Sequence, residues 1–349
     1  MSSESVGIPD IVIGVDELGK NIYDLLRNVS GNHQIDYASF KRPSYRDGAP
    51  GPRVSLTGNL GTYEAFNGKH VLTVYRRKDR PTRDDVARHL GNYQRLIYNL
   101  TDSDLFGAGE TDVLFPYWIS GRSDHNPRTT DDPQVKRRDW GRGVESLNEA
   151  RMFRDAGARR ILTLHPHFHR EPGVFEYGGI EVVNIDAVPA MVRYARDTYG
   201  LDENRLVVNP GLKPEREKYD IALAFAKHAG LTPEIMRMSR VADGEKTIDS
   251  GPIDADGRKV IIVDDCASTL NTVTTCVNEG IRGAPEIYVM VVAPVLPAEG
   301  IAAAENLIQR TPVVDVVGTQ AINSEEYAQI PIHPIIAAYY GVESANNGH

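Results

Sequence analysis

Apolar positions along the chain fall in short unbroken runs, separated by stretches in which they recur every three or four residues. The runs lie at Ile11–Val15, Val71–Tyr75, Asp112–Pro116, Arg160–Leu164, Val182–Ile185, Leu206–Asn209, Val260–Asp264, Glu286–Ala293 and Val313–Val317. Most lack polar alternation, which suits central parallel strands covered on both faces. Between them the helical period holds over Leu18–Asn28, Arg83–Leu100, Val144–Ala156, Ala187–Tyr199, Glu215–Ala229, Thr269–Gly280 and Glu299–Gln309. Gly157, Gly200, Gly230 and Gly280 mark helix ends. Strands alternating with helices predict βαβ units and an α/β fold with mainly parallel sheets. The strands are too many for one ordinary sheet, so two similar domains are expected. Residues 9–168 form the first and 169–330 the second, with the boundary near 168–174.

The length of 349 residues agrees with two medium domains. A 41% hydrophobic and 25% charged composition excludes wholesale disorder. No apolar run approaches the roughly 18 residues that cross a bilayer, and MSSESVGIPD has neither the basic start nor the apolar stretch of a secretory signal. A net charge of −9 argues against non-specific nucleic-acid binding, which needs positive charge to neutralise phosphates. Trp140 among basic residues does not overturn that. Cys266 and Cys276 are too few for a disulfide framework or a cysteine zinc site. Cys266 follows two aspartates whose field disfavours its thiolate, so it is read as a packing residue. The chain is expected to be cytoplasmic, with no membrane partner.

Two polar stretches, Lys41–Pro52 and Gly121–Gly143, are long for connections inside a compact domain. Three features could carry chemistry. In VIIVDDCASTLNT (Val260–Thr272) an apolar strand ends in Asp264 and Asp265, and a polar turn leads into a helix. Ligands of open parallel sheets gather beyond such strand ends. The two carboxylates could bind Mg²⁺ or accept bonds from sugar hydroxyls. Ser268, Thr269 and Thr272 could donate to a phosphate at a helix N-terminus. The plainer reading is a strand end followed by a Ser/Thr helix cap. His165, His167 and His169 alternate and would share one strand face, where imidazoles could bind a transition metal. Ordinary loop histidines are the alternative. Arg76, Arg77, Lys78 and Arg80 could hold an anionic nucleotide or form a solvated basic turn.

VIIVDDCASTLNT resembles the phosphoribosyl-diphosphate (PRPP) loop of type I phosphoribosyltransferases and of the ribose-phosphate diphosphokinases, or PRPP synthetases. Other segments favour the synthetase branch, in consistent order from about residue 10 to 342. RPTRDDVARHL resembles its Pro-Thr/Val-Asn-Asp segment, VLFPYWISGRSD its Val-Ile-Pro-Tyr…Ala-Arg-Gln-Asp segment, and AGARRILTLHPH its Ala-Gly-Ala-Asp…Leu-Thr-Leu-Asp-Leu-His segment. Val207–Pro210 resembles the family's Val-Val-Ser-Pro strand. The resemblance implies two phosphoribosyltransferase-like (Rossmann-like) domains, with the last strand and helix, about Pro331–Tyr340 within the segment 331–345, returning to the first.

By position it implies nucleotide binding by Arg122 and Asp124, with Tyr45, Asp47 and Gly48 meeting adenine from a neighbouring subunit. His167 would stand by the ATP phosphates and Mg²⁺, and Arg240 beside the transferring phosphates. Asp264 and Asp265 would hold ribose and metal, and Ser268, Thr269 and Thr272 the sugar phosphate. The implied activity is Mg²⁺-dependent transfer of diphosphate from ATP to ribose 5-phosphate or a related acceptor, releasing AMP, in a homo-oligomer (dimer or hexamer).

The chain also departs from the family. The loop acid becomes Ser268 and its Gly-Gly becomes Leu270-Asn271. The Ser-Pro-Asp-x-Gly-Gly turn becomes Asn209-Pro210-Gly211-Leu212-Lys213-Pro214, and the catalytic lysine position holds Met238. Lys213, Arg128, Lys136, Arg137 and Arg138 are candidate replacement cations. Two other readings stay open: a catalytically silent nucleotide-binding or regulatory subunit, and a phosphoribosyltransferase that consumes PRPP.

Overall fold

The computed structural model describes residues 7–14, 16–29, 34–41, 53–56, 60, 62–78, 83–121, 144–211, 219–240 and 246–342. The first half carries β1 (Ile11–Gly14), β2 (Asp36–Lys41), β3 (Arg53–Leu56), β4 (His70–Val74), β5 (Arg77–Lys78), β6 (Glu110–Leu114), β7 (Arg160–Leu164), β8 (Gly173–Tyr177) and β9 (Ile180–Ile185). All but β5 form one eight-stranded sheet in the order β3-β2-β1-β4-β6-β7-β9-β8. Its interior pairs are parallel, and β3 and β8 close the edges antiparallel.

The second half carries β10 (Arg205–Asn209), β11 (Thr232–Ile235), β12 (Met238–Arg240), β13 (Lys246–Ile248), β14 (Ile253–Asp254), β15 (Lys259–Ala267), β16 (Ile281–Arg282), β17 (Ile287–Pro294), β18 (Val313–Thr319), β19 (Ile322–Asn323) and β20 (Ala328–Ile330). Six of these form an all-parallel sheet in the order β11-β10-β15-β17-β18-β20. The helices are α1 (Glu17–Val29), α2 (Arg83–Thr101), α3 (Glu145–Asp155), α4 (Val188–Tyr199), α5 (Ile221–Ala229), α6 (Asn271–Thr275), α7 (Ala298–Arg310) and α8 (His333–Tyr339). The α/β class with mainly parallel sheets is therefore present. The continuous apolar strands became interior strands because helices cover both their faces.

The change of sheet falls between Ile185 and Arg205, later than the expected boundary near 168–174. The hairpin β8–β9 belongs to the first sheet. Its turn is Gly178-Gly179, at φ 67° and 79°, the conformation that tight hairpins require and glycine adopts without strain. At the other end of the chain, β20 stays at the edge of the second sheet and only α8 packs against α1. No strand near Pro331 joins the first sheet among the described residues.

A shared core lies between the two sheets. Val12, Leu72, Leu114 and Leu162 of the first sheet and Val207, Ile261, Val263 and Met290 of the second are buried in it with side chains from α1, α4, α5 and α8. The opposite faces have their own cores: Ile13, Val71 and Ile161 in the first sheet, Val208, Val260 and Ile262 in the second. Two further contacts join the halves. β5 pairs with β19. Arg76, buried, donates through Nε to Asp16 Oδ2 at 2.7 Å and through Nη2 to Asn323 Oδ1 at 3.3 Å. Arg76 is thus neither a solvated turn residue nor turned toward a nucleotide.

Candidate functional site

The carboxyl ends of β7 and β15 meet between the sheets. Successive strand residues point to opposite faces. In β15, Ile261 and Val263 face the shared core, and Asp265 continues that face; Val260 and Ile262 face the outer core, and Asp264 continues theirs. The two acids start from opposite faces but stay in contact: Asp264 Oδ1 accepts from Asp265 N–H at 2.8 Å, and the two carboxyls act on each other directly.

On the inner side, Asp265 Oδ2 accepts from His167 Nδ1 at 2.7 Å and from Arg170 Nε at 3.2 Å. This bond crosses from one half of the molecule to the other. A carboxylate only accepts, so in this bond Nδ1 donates and Nε2 stays outside it; Arg170 Nη2 also lies 3.2 Å from Nδ1. Tyr117, Gly121, His165, His167, Asp265 and Cys266 line the small cleft here. Burial would raise the carboxyl of Asp265, but the Arg170 charge and the His167 hydrogen bond outweigh it and hold it well below the ordinary carboxylate range. Asp264 moves the opposite way: burial, then the adjacent Asp265 charge, push it well up and favour its neutral form.

On the outer side, Asp264 lies within electrostatic reach of Cys276. Burial and the field of Asp264 push the Cys276 thiol up to about 12. A Cβ placed on Gly211 would stand 3.3 Å from Thr272 Cγ2 and 3.6 Å from Met238 Sδ, so the three segments touch. Met238 is buried in the outer core, neutral where the resemblance implied a lysine. Ser268 and Thr269 are half-buried in the turn before α6, which starts at Asn271, later than the expected Thr269. Leu270 sits at φ 58°, ψ 10°, the left-handed region. The chain keeps a backbone that glycine adopts freely, but with a leucine side chain that is 4% exposed. The turn is pressed against α7: a Cβ on Gly300 would come within 2.0 Å of the Ser268 carbonyl oxygen.

The three histidines do not share a face. His165 has φ 39° and is buried. Its Nδ1 donates to the Arg170 carbonyl at 2.7 Å, and its Nε2 lies 3.0 Å from Ala187 N and 3.2 Å from Asp186 Oδ1. His169 stacks on Phe175 at 3.9 Å, and burial lowers its pKa. The positive φ of His165 breaks the strand and scatters the rings, so the transition-metal reading fails for this trio.

Among the described residues no three His, Cys, Asp or Glu side chains converge to hold a metal. Asp264, Asp265 and His167 do not form a ready cage, because Asp265 is already paired with His167 and Arg170 and burial favours the neutral Asp264. The donor set suits a Mg²⁺ ion that keeps its waters and arrives on ligand phosphates.

Tyr45, Asp47, Gly48, Arg122, Asp124, Lys213, Arg128, Lys136, Arg137, Arg138, Trp140 and Arg80 lie outside the described residues, as do the side chains of Arg77, Lys78 and Arg240. Gly121, directly before Arg122, lines the cleft beside His167. Arg170 escaped the sequence reading. Its neighbours in HFHREPG carry no spacing signal, and only the fold brings it to Asp265.

No protein-family model matches the chain. A putative ribose-phosphate pyrophosphokinase 1 of Enterococcus faecalis is 27% identical over 269 residues, covering 74% of this chain and 72% of that one. A ribose-phosphate pyrophosphokinase of Methanosarcina mazei is 25% identical over 232 residues, covering 66% and 69%. The phosphoribosylpyrophosphate synthetase of Mycobacterium smegmatis superposes with a TM-score of 0.64 over 95% of this chain and 98% of that one, at 17% identity, and so shares the fold. Along most of its length the chain is thus similar to ribose-phosphate pyrophosphokinases, and it shares the fold of one of them.

Proposed function

We propose that the chain is a diphosphokinase that moves the β,γ-diphosphate of ATP onto a sugar phosphate, ribose 5-phosphate or a related acceptor, and releases AMP. The contact between His167 and Asp265 carries this reading, because it joins the proposed nucleotide side to the proposed sugar side in one cleft. The sugar hydroxyl would bond to the β-phosphorus while the bond between that phosphorus and the α,β-bridging oxygen breaks. Such transfer depends on positioning and charge neutralisation more than on covalent help from the protein.

In this reading Asp265 fixes the His167 ring, whose Nε2 accepts from a water beside the nucleotide phosphates. The second oxygen of Asp265 accepts from a sugar hydroxyl. Asp264, Ser268, Thr269 and Thr272 bind the rest of the acceptor at the end of β15. Arg122, Asp124 and Arg240, with Tyr45 and Asp47 of a neighbouring protomer, bind ATP. Bound Mg²⁺ would neutralise phosphate charge. No described helix is long and apolar enough to cross a membrane, and the reading is of a cytoplasmic homo-oligomer.

A second reading is a nucleotide-binding subunit without turnover. Met238 in the core and the Leu270 side chain in the phosphate turn favour it. Incubation with ATP, Mg²⁺ and a panel of sugar phosphates separates the two. Acceptor-dependent AMP, abolished in Asp265→Asn, is the expected result. ATP binding with no AMP from any acceptor would refute the enzyme and favour the silent subunit. PRPP consumption with a base would favour a transferase.

A further inference from the structure

Asp265 brings an ionised carboxylate to the described cleft, while burial pushes Asp264 and Asp220 up toward their neutral forms. Against it, among the described residues, stands Arg170, whose side chain is 17% exposed and whose Nε meets Asp265. His167 adds charge only when protonated. A polyphosphate entering this cleft would meet repulsion unless a cation turned toward it.

The segment that carries Arg170 is held in place to an extent that a solvated arginine would not need. The Arg170 carbonyl accepts from His165. The carbonyls on either side, of His169 and Glu171, both accept from Asn184 Nδ2, at 3.0 and 2.7 Å. Asn184 is buried on β9, and its Oδ1 accepts from His165 N–H at 2.7 Å. Three consecutive carbonyls are thus pinned by two buried side chains, next to a residue at φ 39°. Strained backbone that is over-determined by its surroundings is characteristic of functional sites, and pinning of this kind pre-organises the side chain it carries.

We propose that Arg170 is a phosphate-binding residue of this cleft. In the unliganded protein it is paired with Asp265; when a diphosphate-bearing ligand enters, the guanidinium turns its planar donor fork to the phosphate oxygens. Asp265 keeps its bond to His167 and is freed to accept from a ligand hydroxyl. This rests on reading the cleft as a nucleotide site, as proposed above.

The test is calorimetric titration with inorganic diphosphate in EDTA at low salt, comparing wild type, Asp265→Asn and the double variant Arg170→Gln/Asp265→Asn. Removing both members of the pair leaves no unpaired buried charge, and thermal melts confirm folding. Asp265→Asn should bind diphosphate more tightly than wild type, because a competitor for Arg170 and a repulsive charge are gone. The double variant should lose about tenfold or more relative to Asp265→Asn, the worth of one charge-assisted hydrogen bond. Equal binding by the two variants, or no diphosphate binding by wild type and Asp265→Asn alike, overturns the proposal. Failure to release AMP while the diphosphate difference holds overturns the enzyme reading alone.

Discussion

Leu270 tests the phosphate turn directly. Its left-handed backbone costs a residue with a Cβ about 1–2 kcal/mol, and its buried side chain returns more than that. Truncation of a buried leucine to alanine costs about 2–5 kcal/mol. Leu270→Ala loses the side chain and keeps the strain. Leu270→Gly loses one methyl more and pays a larger unfolded-state entropy, but it relieves the strain. Both variants should be less stable than wild type, since burial outweighs strain. Their order should be the reverse of the usual one: at negative φ alanine is preferred to glycine, whereas at φ 58° glycine should be the better residue by about 0.5–1 kcal/mol. With a shift of about 2–4 °C per kcal/mol, Leu270→Gly should melt about 1–4 °C above Leu270→Ala. Thermal unfolding at fixed scan rate measures this. An alanine variant as stable as the glycine variant, or more so, would refute a strained left-handed turn here.

Glu149 is buried on α3 beneath Ser120, and burial pushes its carboxyl to about 7. A carboxyl raised above its unfolded value of about 4.3 contributes fully at low pH and loses stability as pH rises to about 7, by up to about 3 kcal/mol. Glu149→Gln should therefore gain on wild type between pH 4.5 and 7.5 and level off above; a melting difference flat with pH would refute this. Asp112 has no exposed surface and accepts from His70 at 2.8 Å and from both Nε and Nη2 of Arg159, at 2.9 and 2.8 Å. Asp112→Ala removes the buried carboxylate that His70 and Arg159 share, leaving Arg159 with Glu110, and should cost about 3–5 kcal/mol, a fall on the order of 10 °C in Tm; an unchanged Tm would be incompatible with it. Cys276, fully buried and raised to about 12, should resist a thiol reagent at pH 8 until guanidinium is added. Two thiols titrating rapidly in the native chain would contradict that burial.

The elements were legible because their signals are local. The run Arg160–Leu164 is a strand with the bounds its apolar pattern gives, and the helices at 83–101 and 298–310 follow the three-to-four spacing. Among the strands that went unread are edge ones such as β8 and β11, whose faces are partly wet and whose patterns carry polar residues. For β8 a signal existed in Gly178-Gly179. In the candidate site, Asp264, Asp265 and His167 were found through residue order, and the 2.7 Å contact unites two of them.

By itself the sequence determined the α/β class, the positions of the interior strands and the presence of acids at the end of β15. Each of these depends on burial or turn chemistry within a few neighbouring residues. Tertiary structure alone decided that Arg170 sits on Asp265, that the three histidines part company, and that Arg76 joins the two halves. A strand's alternation assigns residues to two faces, but what lies on each face is set by segments far away in the chain; His167 meets Asp265 across 98 positions, and no local pattern encodes that meeting.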